Sequence, residues 1–453
     1  MAWRFLIRND IRKDEAVTLD KLVSVPVHLA PLLRSHWLIQ SSSDTPVSVD
    51  GNPRRRQKSA LGGRFVPFAY GFRPFFLLAG IDAVANMAVW LLVYLWPELW
   101  PEAAIAPMYW HAHEMLFGFI AAAIAGFLLT AVPGWTGRSS YAGTPLIGLS
   151  ALWLCGRVAM SPLLHLPPIL VAIIDLAFFP ALVLTLAPPL IRARKLRNLP
   201  FIALLTALFL ANLSFHLGDL GVIPAGEHIG LGIAADIVCV LIVVVGGRII
   251  PAFTKGGLAR MGVKAELESY AFVEYVAITS IVAVLVADLI APLSQWNGAV
   301  ALAAGIAQAL RLGQWQGHRT LREPLLWVLH LGYAWLALGL VLKGIWLLFA
   351  AEFAAKWVHA LTVGAFTTMI LAVMTRASLG HTGRALIAPA PIGATYALVT
   401  IAAAVRVFAP AVFPADYPVI VTTAGSLWIA AFAIFLWVYT PILIRPRADG
   451  SPG

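Results

Sequence analysis

Beyond position 73 the chain alternates long apolar runs with short polar loops. The runs lie near 74–96, 107–133, 143–160, 166–191, 199–219, 228–251, 268–290, 297–313, 324–350, 356–378, 386–408 and 417–444. Each is of the length an α-helix needs to cross the hydrocarbon core of a bilayer, about 17–25 residues. The runs are uniformly apolar, with none of the two-residue alternation of a membrane-spanning β-barrel. The pattern predicts an all-α polytopic membrane bundle of about twelve transmembrane helices.

Charge supports that reading and orients it. The 453 residues are 60% apolar and only 12% charged, about half the charged share of an average soluble domain. The first 73 positions hold 12 of the 32 basic and 6 of the 22 acidic residues, so the body of the chain is poorer still. One set of alternate loops carries Arg138, Arg192, Arg194, Lys195, Arg197, Arg248, Lys255, Arg260, Lys264, Arg311, Arg319, Arg322, Arg376 and Arg384, with Arg445 and Arg447 after the last run. The other set is rich in acids (Glu98, Glu102, Asp219, Glu227, Asp288), and its few cations, Arg157, Lys343, Lys356 and Arg406, sit at or near run ends. Basic loops stay in the cytoplasm, so both termini are expected inside. The net charge of +10 therefore follows from membrane orientation and does not indicate nucleic acid. Cys155 and Cys239 lie in separate apolar runs and form no C-x-x-C motif or disulfide framework.

Three regions follow: a polar, basic N-terminal tail over 1–63, a membrane domain over 64–445 and a short tail over 446–453. The first tail ends in Arg54-Arg55-Arg56-Gln57-Lys58 and lacks the apolar core and cleavage site of a signal peptide. It reads as a disordered segment with a short amphipathic stretch near 23–39, or as sequence upstream of the true start.

Ionisable groups inside spans are costly and face the bundle. His111 and His113 open the second run in Trp110-His111-Ala112-His113-Glu114-Met115, His216 lies well towards the outer end of the fifth, and His359 opens the tenth. Four histidines from three spans thus share one depth, and imidazole ligates haem iron and copper. His111 and His113 project about 200° apart on an ideal helix, so they do not ligate one metal together. The expected outer metal site is built on His113, His216 and His359. Asn212 and Asp219 are placed to orient His216, and Glu114 to orient His111. The plainer alternative has these histidines resting at headgroup level. His330, deeper in the ninth run, is either a second-site ligand or a bundle histidine. His28, His36, His165, His228 and His318 fall in the tail or loops and receive no role.

Two motifs mark the inner face. Gly246-Gly247-Arg248-Ile249-Ile250-Pro251 closes the sixth run, and Thr375-Arg376 with Gly380-His381-Thr382-Gly383-Arg384 closes the tenth. Arg248 and Arg376 are candidates to hold haem propionates or another anion; the alternative is glycine-capped helix ends with snorkelling arginines. Asp82, Asp175, Asp236 and Glu274 lie within spans, for a proton path or, more simply, for internal pairing.

These segments resemble the NnrS family of bacterial membrane proteins. The likeness runs from about residue 64 to the last span, through Phe72-Arg73-Pro74-Phe75-Phe76, Trp110-His111-Ala112-His113-Glu114-Met115, Gly247-Arg248-Ile249-Ile250-Pro251-Ala252-Phe253-Thr254, His359-Ala360-Leu361-Thr362-Val363-Gly364-Ala365 and Leu379-Gly380-His381-Thr382-Gly383-Arg384. The resemblance implies twelve helices in the bacterial inner membrane, bound haem and copper, and a part in the response to nitric oxide, under nitrosative stress or alongside denitrification. It implies no reaction and no ligand set. The expected partners are the lipid bilayer and nitric oxide. A secondary transporter of a metal or small anion, using the buried charges as its site, is the competing class.

Overall fold

The computed structural model describes residues 66–101, 105–263, 267 and 270–451. The tail over 1–63, with its stretch near 23–39, falls outside them. The described residues form helices and no strand. Twelve helical rods correspond one for one to the twelve apolar runs. They are α1 (Phe72–Leu95), α2 (Pro107–Thr136), α3 (Thr144–Ala159), α4 (Pro168–Arg192), α5 (Pro200–Asp219), α6 (Gly226–Arg260), α7 (Ala271–Ile290), α8 (Gln295–Gly313), α9 (Pro324–Phe349), α10 (357–381), α11 (Ala390–Val412) and α12 (Tyr417–Ile444). Ten rods are long and apolar enough to cross a membrane; α3 is a shorter apolar helix, and α8 carries the buried polar residues Asn297, Gln308 and Arg311. The chain is a multi-pass membrane protein.

Proline starts many of these helices, where its missing N–H costs nothing: α2, α3, α4, α5, α9, α11 and α12 each carry it in the first two positions. Each helix packs on the next in sequence, and α12 returns to pack on α1, so the order closes on itself. At the seam, Arg73 Nη1 donates to the carbonyls of Leu443 at 2.7 Å and Arg445 at 2.8 Å. Val66 N donates to the Ile444 carbonyl at 3.0 Å. Three helices, α2, α6 and α10, also touch one another, and they are among the most buried of the set.

Two of those inner helices change their winding at the same relative place. In α2 a π-helical segment, Glu114–Ile120, starts directly after His113; in α10 another, Ala360–Phe366, starts directly after His359. The wider i→i+5 turn shows in α10 as Thr367 Oγ1 donating to the Thr362 carbonyl at 3.0 Å. Single-turn π segments inside α-helices concentrate at functional sites. Here both lie just below candidate histidines.

One boundary differs from expectation. The Gly246–Thr254 motif does not end α6, which runs on to Arg260. Its glycines give room: the Tyr333 ring lies against Gly246, and the Arg311 guanidinium against Gly247, where a methyl group would collide with it. Arg311 pairs there with Glu274 and donates to the Tyr333 hydroxyl at 2.9 Å. Internal pairing, the simpler expectation for Glu274, is what the structure shows.

Candidate metal and cofactor centres

The histidines at the acidic-loop end divide into two groups. His113 and His216 meet at the junction of α2 to α5. His113 Nε2 lies 2.9 Å from Asn212 Oδ1 and 3.3 Å from Asp175 Oδ2, and His216 Nε2 lies 3.0 Å from the same Asp175 oxygen. Ligand atoms of His113, Asp175 and His216 all fall within 4.8 Å of one another, and the three residues are buried. Asn212 and His216 are one turn apart on α5 and so share a face. Asp175 projects from α4 at a break in that helix, between Pro168–Leu176 and Phe178–Arg192.

Arg157, near the end of α3, holds this group together. Its guanidinium bridges Glu114, at 2.6 Å, and Asp175. Two glycines permit the approach. A Cβ on Gly118 would stand 2.8 Å from Asp82 Oδ2 and 3.0 Å from Arg157 Nη1, and one on Gly156 would stand 3.0 Å from Asp175 Oδ1. Asp82 completes the group beside Glu114 and Arg157, and its buried Oδ2 accepts no hydrogen bond.

Hydrogen-bond directions constrain the charges. His113 Nδ1 faces Glu114 Oε1 at 3.0 Å, while its Nε2 faces two further oxygens. The Asn212 amide is oriented by its own Nδ2, which donates to Asp175 at 2.7 Å. Each ring nitrogen of His113 therefore faces an oxygen atom, and at least one of them carries the ring proton. Three carboxyl groups, of Asp82, Glu114 and Asp175, surround the Arg157 guanidinium. A metal at His113, Asp175 and His216 would take the place of any proton on the ligating ring nitrogens, since only neutral imidazole ligates.

His111 and His359 form the second group. Both line a cavity of about 670 Å³ at the acidic-loop end of α1, α2, α10, α11 and α12, together with Trp90, Tyr94, Lys356, Arg406, Tyr417 and Trp428. The Nδ1 atoms of both rings are buried and have no hydrogen-bond partner, and neither has Arg406 Nη1. Trp90 stacks on His111 with ring centroids 4.5 Å apart, fixing its plane. Trp110 Nε1 donates to the Met160 carbonyl at 2.9 Å and ties the start of α2 to the end of α3. The volume is in the range of cofactor and ligand sites, roughly 300–1,000 Å³.

The four histidines thus share a depth without sharing a site: His113 joins His216, and His111 joins His359. Glu114 serves His113, not His111, because the ring next to it in sequence turns towards it across the start of the π segment. Asn212 bonds Asp175 and His113, and the His216 ring is oriented by Asp175, a residue expected to serve a proton path or, more simply, internal pairing. The remaining candidates lie apart. His330 Nε2 and Thr254 Oγ1 are 2.9 Å apart, and Gly317 abuts the ring. Arg248 donates to Asn198 Oδ1 at 3.0 Å and lies over the Phe201 ring. Arg376 lies over the Phe253 ring, 4.0 Å from its centroid. It is seventeen residues beyond His359 on α10, about 25 Å along the axis, so it does not reach the histidine cavity.

The order of motifs in the chain is diagnostic. A family model described as NnrS protein matches residues 66–447. The chain belongs to the NnrS family. Among curated proteins no relative matches. Both histidine groups, both π segments and Arg157 lie inside the NnrS match.

Proposed function

We propose that this NnrS protein is a haem- and copper-binding protein of the bacterial inner membrane that acts in the response to nitric oxide, binding it, turning it over or protecting cellular iron. The observation that carries the proposal is the paired, unpartnered histidines His111 and His359 on one large cavity. Nitrogen atoms buried without partners are rare in native proteins and call for a ligand. Haem fits what is there: an imidazole from each of two helices, aromatic walls, and Lys356 and Arg406 to neutralise carboxylates. Haem iron, when bound, supplies a site for nitric oxide. His111 and His359 would hold the iron, Trp90 fixes the plane of His111, and Lys356 and Arg406 would offset the charge of the haem carboxylates.

Copper suits the other group. His113, His216 and Asp175 supply two imidazoles and a carboxylate, and imidazole is a favoured copper ligand. Asn212 and Glu114 orient them. An apolar recess of about 90 Å³ lies between α1, α2, α5, α6 and α10, lined by Phe76, Ile120, Val238, Ile242, Phe366 and Met369 among others. It offers a dry place for an apolar gas that reaches the protein through lipid. A second reading, transport of a metal or small anion, draws on a different buried ionic group on α6, α7 and α9, described below.

The test is the visible spectrum and metal content of purified protein from haem-supplemented cells. A Soret band that shifts with nitric oxide is expected. It should be lost in His111→Ala and His359→Ala, and kept in His113→Ala and His216→Ala, which should lose copper instead. His318→Ala is the silent control. A wild-type protein without a Soret band overturns the haem reading; bands unchanged in His111→Ala and His359→Ala overturn the ligand assignment.

A further inference from the structure

A second buried ionic group joins α6, α7, α8 and α9, away from both histidine centres. Asp288, near the end of α7, accepts from Asn297 Nδ2 of α8 at 2.7 Å and pairs with the Lys343 ammonium of α9. Lys343 is only 2% exposed, and its ammonium also lies over the Trp357 ring of α10 at 5.0 Å. Asp236 of α6 faces the same pair and is 7% exposed. Cys239, one turn along α6, is buried beside it. Asn297 is fully buried, and its Oδ1 has no donor. The charged and titratable groups around Asp236 are therefore Asp288 from α7, Lys343 from α9 and Cys239 on α6 itself; α8 adds a neutral amide and α10 an indole.

Counting charges shows what is missing. Two carboxyl groups face one ammonium, and that ammonium already pairs with Asp288, whose second oxygen is held by Asn297. Asp288 lies two residues before the end of α7 and Lys343 six residues before the end of α9, so Asp236, which faces both, sits in the outer part of the bundle. A bare carboxylate buried there costs several kcal/mol. Adjacent carboxyl groups relieve the cost by holding one proton between them.

We propose that Asp236 and Asp288 hold one exchangeable proton beside Lys343, forming a buried proton-binding site that is independent of the haem and copper reading. Lys343 pairs with Asp288, and the proton rests on Asp236. Release of that proton leaves a net negative charge, which the neighbouring ammonium tolerates briefly but does not cancel. The site is thus built to take up and pass on protons rather than to brace the bundle.

Infrared spectra of the full-length protein in H₂O and D₂O test this, because a protonated carboxylic acid has a carbonyl stretch that an ionised one lacks and that shifts on deuteration. Asp236→Asn is expected to remove one such band and to fold normally, since a neutral amide replaces a neutral acid of the same shape. Asp288→Asn should remove the same band, because Asp236 then ionises to pair with Lys343; this second variant decides the matter if the first does not fold. An unchanged band in either variant that folds, or no carboxylic acid band in the wild type, overturns the proposal. So does a band that disappears on adding sodium in place of potassium, which would make the site one for a metal cation.

Discussion

The Arg157 guanidinium bridges Glu114 and Asp175, and removing it leaves both buried carboxyl groups without that partner. Breaking one side of a buried ion pair costs about 3–5 kcal/mol. Arg157→Gln should therefore lower the thermal unfolding temperature in detergent markedly, and should also deplete copper because Asp175 loses its position. Gly118→Ala tests the same packing more gently: its methyl would meet Asp82 and Arg157, costing about 1–3 kcal/mol. Arg376 is a contrasting case. Over the Phe253 ring it contributes about 0.5–2 kcal/mol, so Arg376→Lys should reduce stability slightly and leave the haem spectrum unchanged. A loss of haem in that variant would return the inner arginine to the cofactor site.

At this scale the sequence shows which residues are expensive but not which ones meet. The two histidines of the His-x-His motif were separable from helical angles alone, and they do face different sites. Arg157 and Asp175 were not legible as the centre of the network. Arg157 counts as a loop cation when only charge per loop is read, and an isolated aspartate in an apolar run carries no mark of its partner. The same holds for Lys343, which lies in the outer third of α9 and is nonetheless buried.

The two π segments belong to the scale of the element. Each inserts one extra residue below a candidate histidine, so the part of the helix carrying the histidine is rotated against the part packed in the core. Deleting Met115 should restore an ordinary α-helix and turn everything before it by about 100° relative to the rest of α2. His111 would leave the cavity and His113 would leave Asp175. The expected result is a protein that inserts and folds but has lost both the Soret band and its copper; retention of either shows that the segment's register does not set the site. Hydropathy predicts neither segment, because Glu114–Ile120 and Ala360–Phe366 are as apolar and as helix-compatible as their flanks. Helix starts carry a clearer mark, since proline stands in the first two positions of seven of the twelve rods. The glycines of α6 were misread as an end because a packing glycine and a capping glycine look alike in one dimension.

For the whole molecule, the charge alternation makes a direct topological statement. Reporters fused after Gly137, Asn198, Gly262 and Gly317 should read cytoplasmic, and those after Pro101 and Ala225 periplasmic. A periplasmic signal from the Gly262 fusion would break the twelve-span order. That order was legible because apolar length and loop charge are both local properties. The arrangement around the bundle axis was not. His111, His113, His216 and His359 agree in depth, which the sequence gives as distance along each helix. Whether two of them meet depends on azimuth, which α1 to α12 acquire only by packing.

The seam between the last helix and the first has a consequence for how the molecule is made. Spans leave the ribosome in order, so α1 must wait in the lipid for every other helix before α12 arrives. Until then Arg73 has none of the carbonyl groups of 442–445 that receive its guanidinium at the seam. A nascent chain stopped short of α12 therefore lacks the seam that joins the two ends of the membrane domain in the finished chain. Pulse-labelled chains ending before Tyr417 should be degraded faster than full-length ones.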